Sequence, residues 1–103
     1  MHIEILTFQD CPNAAETLER VRDALDAEGA AADIHQIEVD SVTRAIEMRF
    51  LGSPSVRIDG KDIEPGADNR TEHGLMCRTY TNGKGTSGEP PLEMIRDAIR
   101  RLI

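Results

Sequence analysis

Residues 2–12 read HIEILTFQDCP, and this stretch decides the fold class. Apolar and polar side chains alternate through Phe8, which predicts a strand with one buried face. Cys11 and Pro12 then open a helical pattern, and proline is best tolerated at the first helical position. We therefore predict Cys11 at the N-cap, where free backbone N–H groups and the helix dipole favour the thiolate over the thiol.

The rest of the chain alternates between helical and strand patterns. Apolar residues recur at helical spacing after the first strand, and Gly29 closes that helix. A second helix begins at Ser41 and is expected to end at Gly52. Asp59 and Gly60 give the strongest short-range hairpin signal that a sequence offers. The predicted elements are a strand over 2–8, a helix over 12–28, a strand over 33–39, a helix over 41–50, two antiparallel strands over 55–63, and a helix over 91–102.

Length and charge limit the partners of the protein. The chain has 103 residues and a formal net charge of −7. This length fits one domain, residues 1–103. The acidic balance argues against nucleic acid as a partner, because phosphate binding needs a clustered basic face. No apolar stretch approaches the roughly 20 residues that span a bilayer, so we predict a cytoplasmic protein that does not bind membranes.

Three local motifs resemble those of thioredoxin-like proteins. They are a strand ending in Cys11-Pro12 at a helix start, Gly52-Ser53-Pro54-Ser55 before the third strand, and the Asp-Gly turn after it. The element order of strand, helix, strand, helix, hairpin and helix is that of the thioredoxin fold, an α/β fold. The resemblance implies that the Ser53–Pro54 bond is cis and that Pro54 faces a reactive Cys11.

A narrower resemblance is to short bacterial thioredoxin-family proteins that often carry the label alkylmercury lyase. It rests on Cys11-Pro12-Asn13, on residues 50–56 and on the run GLMCRTY at 74–80. The label belongs properly to a larger enzyme. For this chain it therefore implies mercury handling, as in mercury resistance, and not cleavage of a carbon–mercury bond.

The second sulfur of a thioredoxin is missing from its usual place. Thioredoxins keep a cysteine three residues after the first, and here that position is Ala14, so a local Cys-x-x-Cys pair is excluded. Cys77 lies in residues 65–89, a connection long enough to be a functional insertion between the last strand and the last helix. Residues 76–81 predict an extra short strand that places Cys77 over Cys11. A glutathione-binding monothiol site is the weaker alternative, because Asp10 precedes Cys11 where that class has a lysine.

The leading function is redox exchange with a protein thiol or disulfide partner. Cys11 attacks as the nucleophile, and Cys77 resolves the mixed disulfide. Such a protein would be a thiol–disulfide oxidoreductase with no bound cofactor. The candidate residues are Cys11, Cys77 and Pro54 for catalysis, and Pro12, Asn13 and Ser53 for substrate binding.

Two other functions stay open. Cys11 and Cys77 are also candidate metal ligands, because soft cations such as Hg(II) or Cu(I) prefer sulfur. A non-catalytic interaction domain would explain Ala14, and each cysteine then has a purely structural role as a small apolar side chain. Arg78 is expected at the surface. The chain has only two Phe and one Tyr, which leaves few aromatic side chains for a large apolar interface once the core is filled. We therefore expect a monomer or a weak dimer.

Overall fold

A computed structural model describes residues 1–83 and 85–103 and gives a mixed α/β architecture. Three helices and six strands are present among these residues. In chain order they are β1 (His2–Thr7), α1 (Ala14–Glu28), β2 (Asp33–Glu38), α2 (Val42–Glu47), β3 (Ser55–Ile58), β4 (Lys61–Asp62), β5 (Tyr80–Asn82), β6 (Gly85–Ser87) and α3 (Leu92–Arg100). The predicted order is confirmed, and β5 and β6 are added in the connection before α3.

Four strands form one mixed sheet in the order β2-β1-β3-β4. β1 runs parallel to β2 and antiparallel to β3, and β4 returns antiparallel to β3. Asp59 and Gly60 both have positive φ between β3 and β4, which confirms the expected hairpin. Ser55, the first residue of β3, pairs with Leu6. The start of β3 therefore lies beside the end of β1 that leads to Cys11.

Each face of the sheet buries an apolar core. Ile3 and Ile5 of β1 pack with α1 and α3, whereas Leu6 packs on the other face with Phe50. The larger core consists of Ile3, Ile5, Val21, Ala24, Leu25, Val56, Ile58, Ile63, Ile95, Ala98 and Ile99. Helices thus cover the sheet from both sides, and the loop that carries Cys11 follows the end of β1.

The sequence predicted a second helix that ends near Phe50, with Gly52 as its stop. In the structure this helix ends at Glu47. Arg49 adopts a left-handed conformation with φ 54°. The N–H of Phe50 then donates to the carbonyl of Ala45 at 2.8 Å, and both side chains belong to the same buried cluster. This is a Schellman cap in which an arginine takes the position that glycine usually holds. Among the helices described, none has the length and apolar character needed to cross a membrane.

The connection between β4 and α3 is built differently from the prediction. A 3-10 turn over Ala67–Asn69 is followed by irregular chain with one isolated bridge and then by the β5–β6 hairpin. The single extra strand expected over 76–81 is wrong, because the strand begins only at Tyr80. Residues before it pair instead with the turn that precedes β3. We call residues 76–78 the strap, because they lie across that turn.

Candidate functional site

Cys11 is half-buried in the loop between β1 and α1. It is not the N-cap of α1, and Pro12 is not its first residue, because the cap is Asn13. The Asn13 carbonyl accepts the N–H of Thr17 at 3.1 Å and its hydroxyl at 2.7 Å. These two bonds fix the first helical turn two residues later than predicted. The argument that an N-cap position activates the Cys11 sulfur therefore does not apply to this structure.

The turn before β3 contains the cis Ser53–Pro54 bond that the resemblance implied. Ser53 and Pro54 are buried. The backbone N–H of Phe8 donates to Oγ of Ser53 at 3.1 Å, and Oγ of Ser55 donates to the Gly52 carbonyl at 2.6 Å. The cis turn is thus bonded to the chain three residues before Cys11.

The strap brings Cys77 to this cis turn. Ser53 and Cys77 form an isolated parallel bridge. The N–H of Ser53 donates to the Met76 carbonyl at 2.8 Å, and the N–H of Arg78 donates to the Ser53 carbonyl at 3.0 Å. The strap therefore already bonds the Ser53 backbone that we expected to receive a substrate. The Cys77 side chain is exposed.

Gly52 permits this close approach. Its φ is +120°, and a Cβ at this position would lie 2.9 Å from Cβ of Arg78 and 3.1 Å from the Met76 carbonyl oxygen. Any side chain would collide with the strap, so the glycine is required for both its backbone conformation and its size. In the sequence motif GSPS the glycine is therefore needed for packing against the strap, in addition to the role of the proline in the turn.

Arg78 is buried, which corrects the expectation of a surface residue. Only 3% of it is exposed. Its guanidinium donates to both carboxylate oxygens of Asp62 at 2.7 and 2.8 Å, to Oε1 of Glu64 at 3.0 Å and to Oγ of Ser55 at 3.0 Å. It also lies over the ring of Tyr80, 4.6 Å from the centroid. These five residues, Ser55, Asp62, Glu64, Arg78 and Tyr80, form what we call the arginine cluster.

Burial and charge act in opposite directions in the arginine cluster. Burial has the largest single effect on the pKa of Arg78 and lowers it, but the hydrogen bonds to Asp62 and Glu64 and the charges of Asp62 and Tyr80 together outweigh it, so the net pKa is raised. Burial raises the pKa of the Tyr80 hydroxyl. That hydroxyl donates to the Pro54 carbonyl at 2.6 Å. The cluster thus joins the strap, β4 and the cis turn in one buried polar unit.

The far end of the insertion packs on the start of α1, the helix that follows Cys11. A Cβ on Gly88 would lie 2.5 Å from Nδ2 of Asn13, so Gly88 packs directly on the helix cap. Arg20 of α1 donates to the Pro90 carbonyl at 3.0 Å and pairs with Glu89 at 3.3 Å. The insertion therefore contacts two segments that are linked to the Cys11 loop. It contacts the cis turn, which is bonded to Phe8, through the strap, and it contacts the cap of α1 through Gly88.

Both cysteines are free thiols. In residues 1–83 and 85–103 there is no group of three or more His, Cys, Asp or Glu side chains arranged to hold a metal ion. Pro12 is exposed beside Cys11.

A cavity of about 340 Å³ opens beside the site. Phe8 and Gln9, which lead to Cys11, form one part of its lining, and Leu75, which leads to the strap, forms another. Glu38, Val39 and Asp40 complete it. The cavity thus lies between the two segments that carry the cysteines.

Sequence reasoning missed the arginine cluster. In the structure Arg78 and Tyr80 are buried while Cys77 and Thr79 are exposed, but the residue types at 77–80 do not alternate between apolar and polar, so the sequence gives no signal for this burial. No family model matches the chain, and comparison with curated proteins and with solved structures gave no match.

Proposed function

We propose that this protein is a thioredoxin-like thiol–disulfide oxidoreductase in which Cys11 is the nucleophile and Cys77 the resolving thiol. The observation that carries the proposal is the bridge between Cys77 and Ser53. Ser53 precedes the cis proline and is bonded to the chain just before Cys11. Two free thiols are thus carried by segments that meet at one turn.

The fold supports the thioredoxin-like part of the proposal. The sheet order β2-β1-β3-β4, the parallel β1–β2 pair and the antiparallel hairpin agree with the element order of that fold. The cis bond before Pro54 agrees with it as well. Thiols that pass electrons to a partner must be reduced again after each reaction, which suits a reducing compartment, and we propose the cytoplasm.

The proposed reaction has two exchange steps. The Cys11 thiolate attacks one sulfur of a partner disulfide, forms a mixed disulfide and releases the other partner sulfur as a thiolate. The Cys77 thiolate then attacks the Cys11 sulfur and releases the second partner sulfur. Two electrons pass from the protein to the partner, and the two thiol protons go to the two released sulfurs. Pro12, Asn13 and Pro54 would shape the space around the attacked sulfur.

Intact mass in a series of glutathione redox buffers tests this proposal. The wild-type protein should lose two hydrogens in one step, and Cys77→Ser should instead accumulate a mixed disulfide on Cys11. Cys11→Ser should abolish both products, whereas Thr79→Ala, an exposed neighbour of Cys77, should behave as wild type. Persistence of both thiols in oxidising buffer, with alkylation rates equal to those of a model peptide, would instead indicate a non-catalytic domain.

The same two sulfurs support a second proposal, capture of Hg(II) or Cu(I) as cargo. Its basis is the two free thiols, because soft cations prefer sulfur ligands. Titration should give one Hg(II) per chain, with affinity that falls in both Cys11→Ser and Cys77→Ser. Unchanged affinity in Cys77→Ser would rule out a shared two-thiolate site.

A further inference from the structure

The strap uses the backbone groups that an extended partner would need. A polypeptide that adds as a strand requires unpaired N–H and C=O groups along an edge. At Ser53 both groups are already bonded, to Met76 and Arg78. A peptide that paired with the outer edge of Cys77 would lie one strand spacing, about 4.8 Å, farther from the cis turn.

The strap is fixed in place by burial. Arg78 anchors its end through four hydrogen bonds to Ser55, Asp62 and Glu64. Gly52 lets its backbone approach to a distance that leaves no room for a Cβ. Displacing the strap would expose a buried arginine and leave the Asp62 carboxylate without its partner. The strap is therefore anchored to the folded core through Arg78, while Met76 and Cys77 stay exposed.

A small cavity lies between the segments that lead to Cys11 and Cys77, and its lining includes neither cysteine. The cavity between residues 8–9 and Leu75 measures about 340 Å³, near the lower end of volumes typical for small-molecule sites. Its lining includes two carboxylates, Glu38 and Asp40, and the whole chain carries a net charge of −7. An anionic ligand would meet repulsion there.

We infer that the strap makes this protein selective for small disulfides of neutral or positive charge over extended polypeptides and over anionic disulfides. This inference rests on the proposed exchange chemistry of Cys11. It narrows the expected partner from a protein to a low-molecular-weight disulfide. The strap then has two roles, because it presents Cys77 for the resolving step and also excludes a competing strand from Ser53.

The test measures the rate at which Cys11 forms a mixed disulfide, in a Cys77→Ser background, by intact mass. Four probes are used: hydroxyethyl disulfide, cystamine, dithiodiglycolate, and an unstructured ten-residue peptide carrying a hydroxyethyl mixed disulfide. Each rate is divided by that of a short cysteine peptide with the same probe. We expect the normalised rate for hydroxyethyl disulfide to exceed that for the peptide by about tenfold or more. Cystamine should exceed dithiodiglycolate, and that gap should shrink with added salt.

Two variants that loosen the strap should reduce the selectivity against the peptide. Gly52→Ala forces a Cβ against Arg78, and Asp62→Asn removes the charge that anchors Arg78. Their controls are Gly85→Ala, which has φ +135° but open space around the Cβ position, and Asp97→Asn, which removes an exposed ion pair. We expect both strap variants to react faster with the peptide and both controls to keep the wild-type ratio.

The outcomes separate the two proposals. If Cys11 reacts with small disulfides faster than the reference peptide does, but the ten-residue peptide reacts equally fast, exchange stands and the inference of selectivity is overturned. If every probe reacts at the reference rate, both fail. Should Gly52→Ala not fold, Asp62→Asn decides alone, and amide exchange at Ser53 and Arg78 reports whether the strap has opened. Unchanged peptide rates with an opened strap would also overturn the inference.

Discussion

Replacing Arg78 by methionine should destabilise the protein more than any change of an exposed charge. The substitution keeps much of the side-chain length but removes a guanidinium that donates four hydrogen bonds. The side chain of Asp62 is only 3% exposed, so its carboxylate would stay buried without a counterion. Glu64 keeps a second partner, Arg70, at 3.0 Å. The loss of stability therefore comes mainly from the Asp62 carboxylate, which is left buried without a counterion.

Removing one member of a buried ion pair costs about 3–5 kcal/mol. At about 4 °C or more per kcal/mol for a chain near 100 residues, the melting temperature should fall by at least about 12 °C. The matched control is Arg100→Met, whose side chain is 45% exposed and pairs with Glu28 at 2.9 Å. Glu28 keeps a second partner, Arg96, at 2.8 Å, so the control leaves no buried carboxylate unpaired and should change the melting temperature far less.

Urea unfolding followed by two probes gives the measurement. Tyr80 is the one tyrosine of a chain without tryptophan, so its emission reports on the arginine cluster, and circular dichroism reports on the helices. Both should give the same midpoint if unfolding is two-state.

A double-mutant cycle with Asp62→Asn tests the cause. The double variant should lose at least about 1 kcal/mol less than the sum of the single variants, because the unpaired carboxylate is then absent. Strictly additive losses would refute the ion pair as the origin of the effect. A loss no larger than that of the Arg100 control would refute the burial argument itself.

Three further predictions concern groups outside that pair. Tyr80→Phe removes the 2.6 Å hydrogen bond to the buried Pro54 carbonyl, so urea unfolding should show a loss of about 1–3 kcal/mol. Burial raises the pKa of the Tyr80 hydroxyl, so the folded state holds a proton that the unfolded state releases. Stability should be fully present below the ordinary tyrosine pKa of about 10 and decline above it. Absorbance at 295 nm should then change together with the dichroism, and ionisation of Tyr80 with the fold intact would contradict this. Hydrogen bonds from Arg100 and, to a smaller extent, from Arg96 lower the pKa of Glu28. The stabilisation from the ionised Glu28 carboxylate is therefore present above the ordinary glutamate pKa and lost in acid. The melting temperature of Glu28→Gln should accordingly vary less than that of the wild type between pH 7 and pH 3.

The sequence predicted the parts of the fold that depend on local patterns. Alternation in residues 2–8 identified β1, and the Asp59-Gly60 pair identified the hairpin after β3. The cis bond before Pro54 came from the resemblance and not from any local pattern, since an X-Pro bond is usually trans. These features are encoded within a few residues of where they appear.

The features that the sequence did not predict depend on contacts between distant segments or on competing caps. The end of α2 was misplaced because Phe50 packs on Ala45, which lets Arg49 take a left-handed conformation before Gly52 is reached. The start of α1 was misplaced because the Thr17 side chain bonds the Asn13 carbonyl. Such competition between side-chain and backbone partners is settled by the whole fold and not by propensity.

The sequence failed to predict the burial of Arg78 for a different reason. A charged residue in a polar segment is normally solvated, and its partners Asp62 and Glu64 lie 16 and 14 positions earlier in the chain. Only a fold that brings β4 beside the insertion makes that burial favourable, because the carboxylates then compensate the charge. Neither the hydropathy pattern nor the spacing of residues along the chain predicts such a long-range ion pair.

The adjacency of residues 77 and 78 links the stability of the fold to the chemistry that we propose. In an extended strap neighbouring side chains point to opposite sides, so burying Arg78 turns Cys77 outward, and the backbone bonds to Ser53 fix its position along the cis turn. A change at Asp62 should therefore alter the reactivity of a thiol that it does not touch. An equal loss of stability produced in the Glu28 network, which joins α1 to α3, should leave that thiol unaffected. If the cluster had only a structural role, the two perturbations would affect Cys77 alike once matched in free energy of unfolding. Comparing the Cys77 alkylation rates of such a matched pair thus separates a packing role for the cluster from a positioning one.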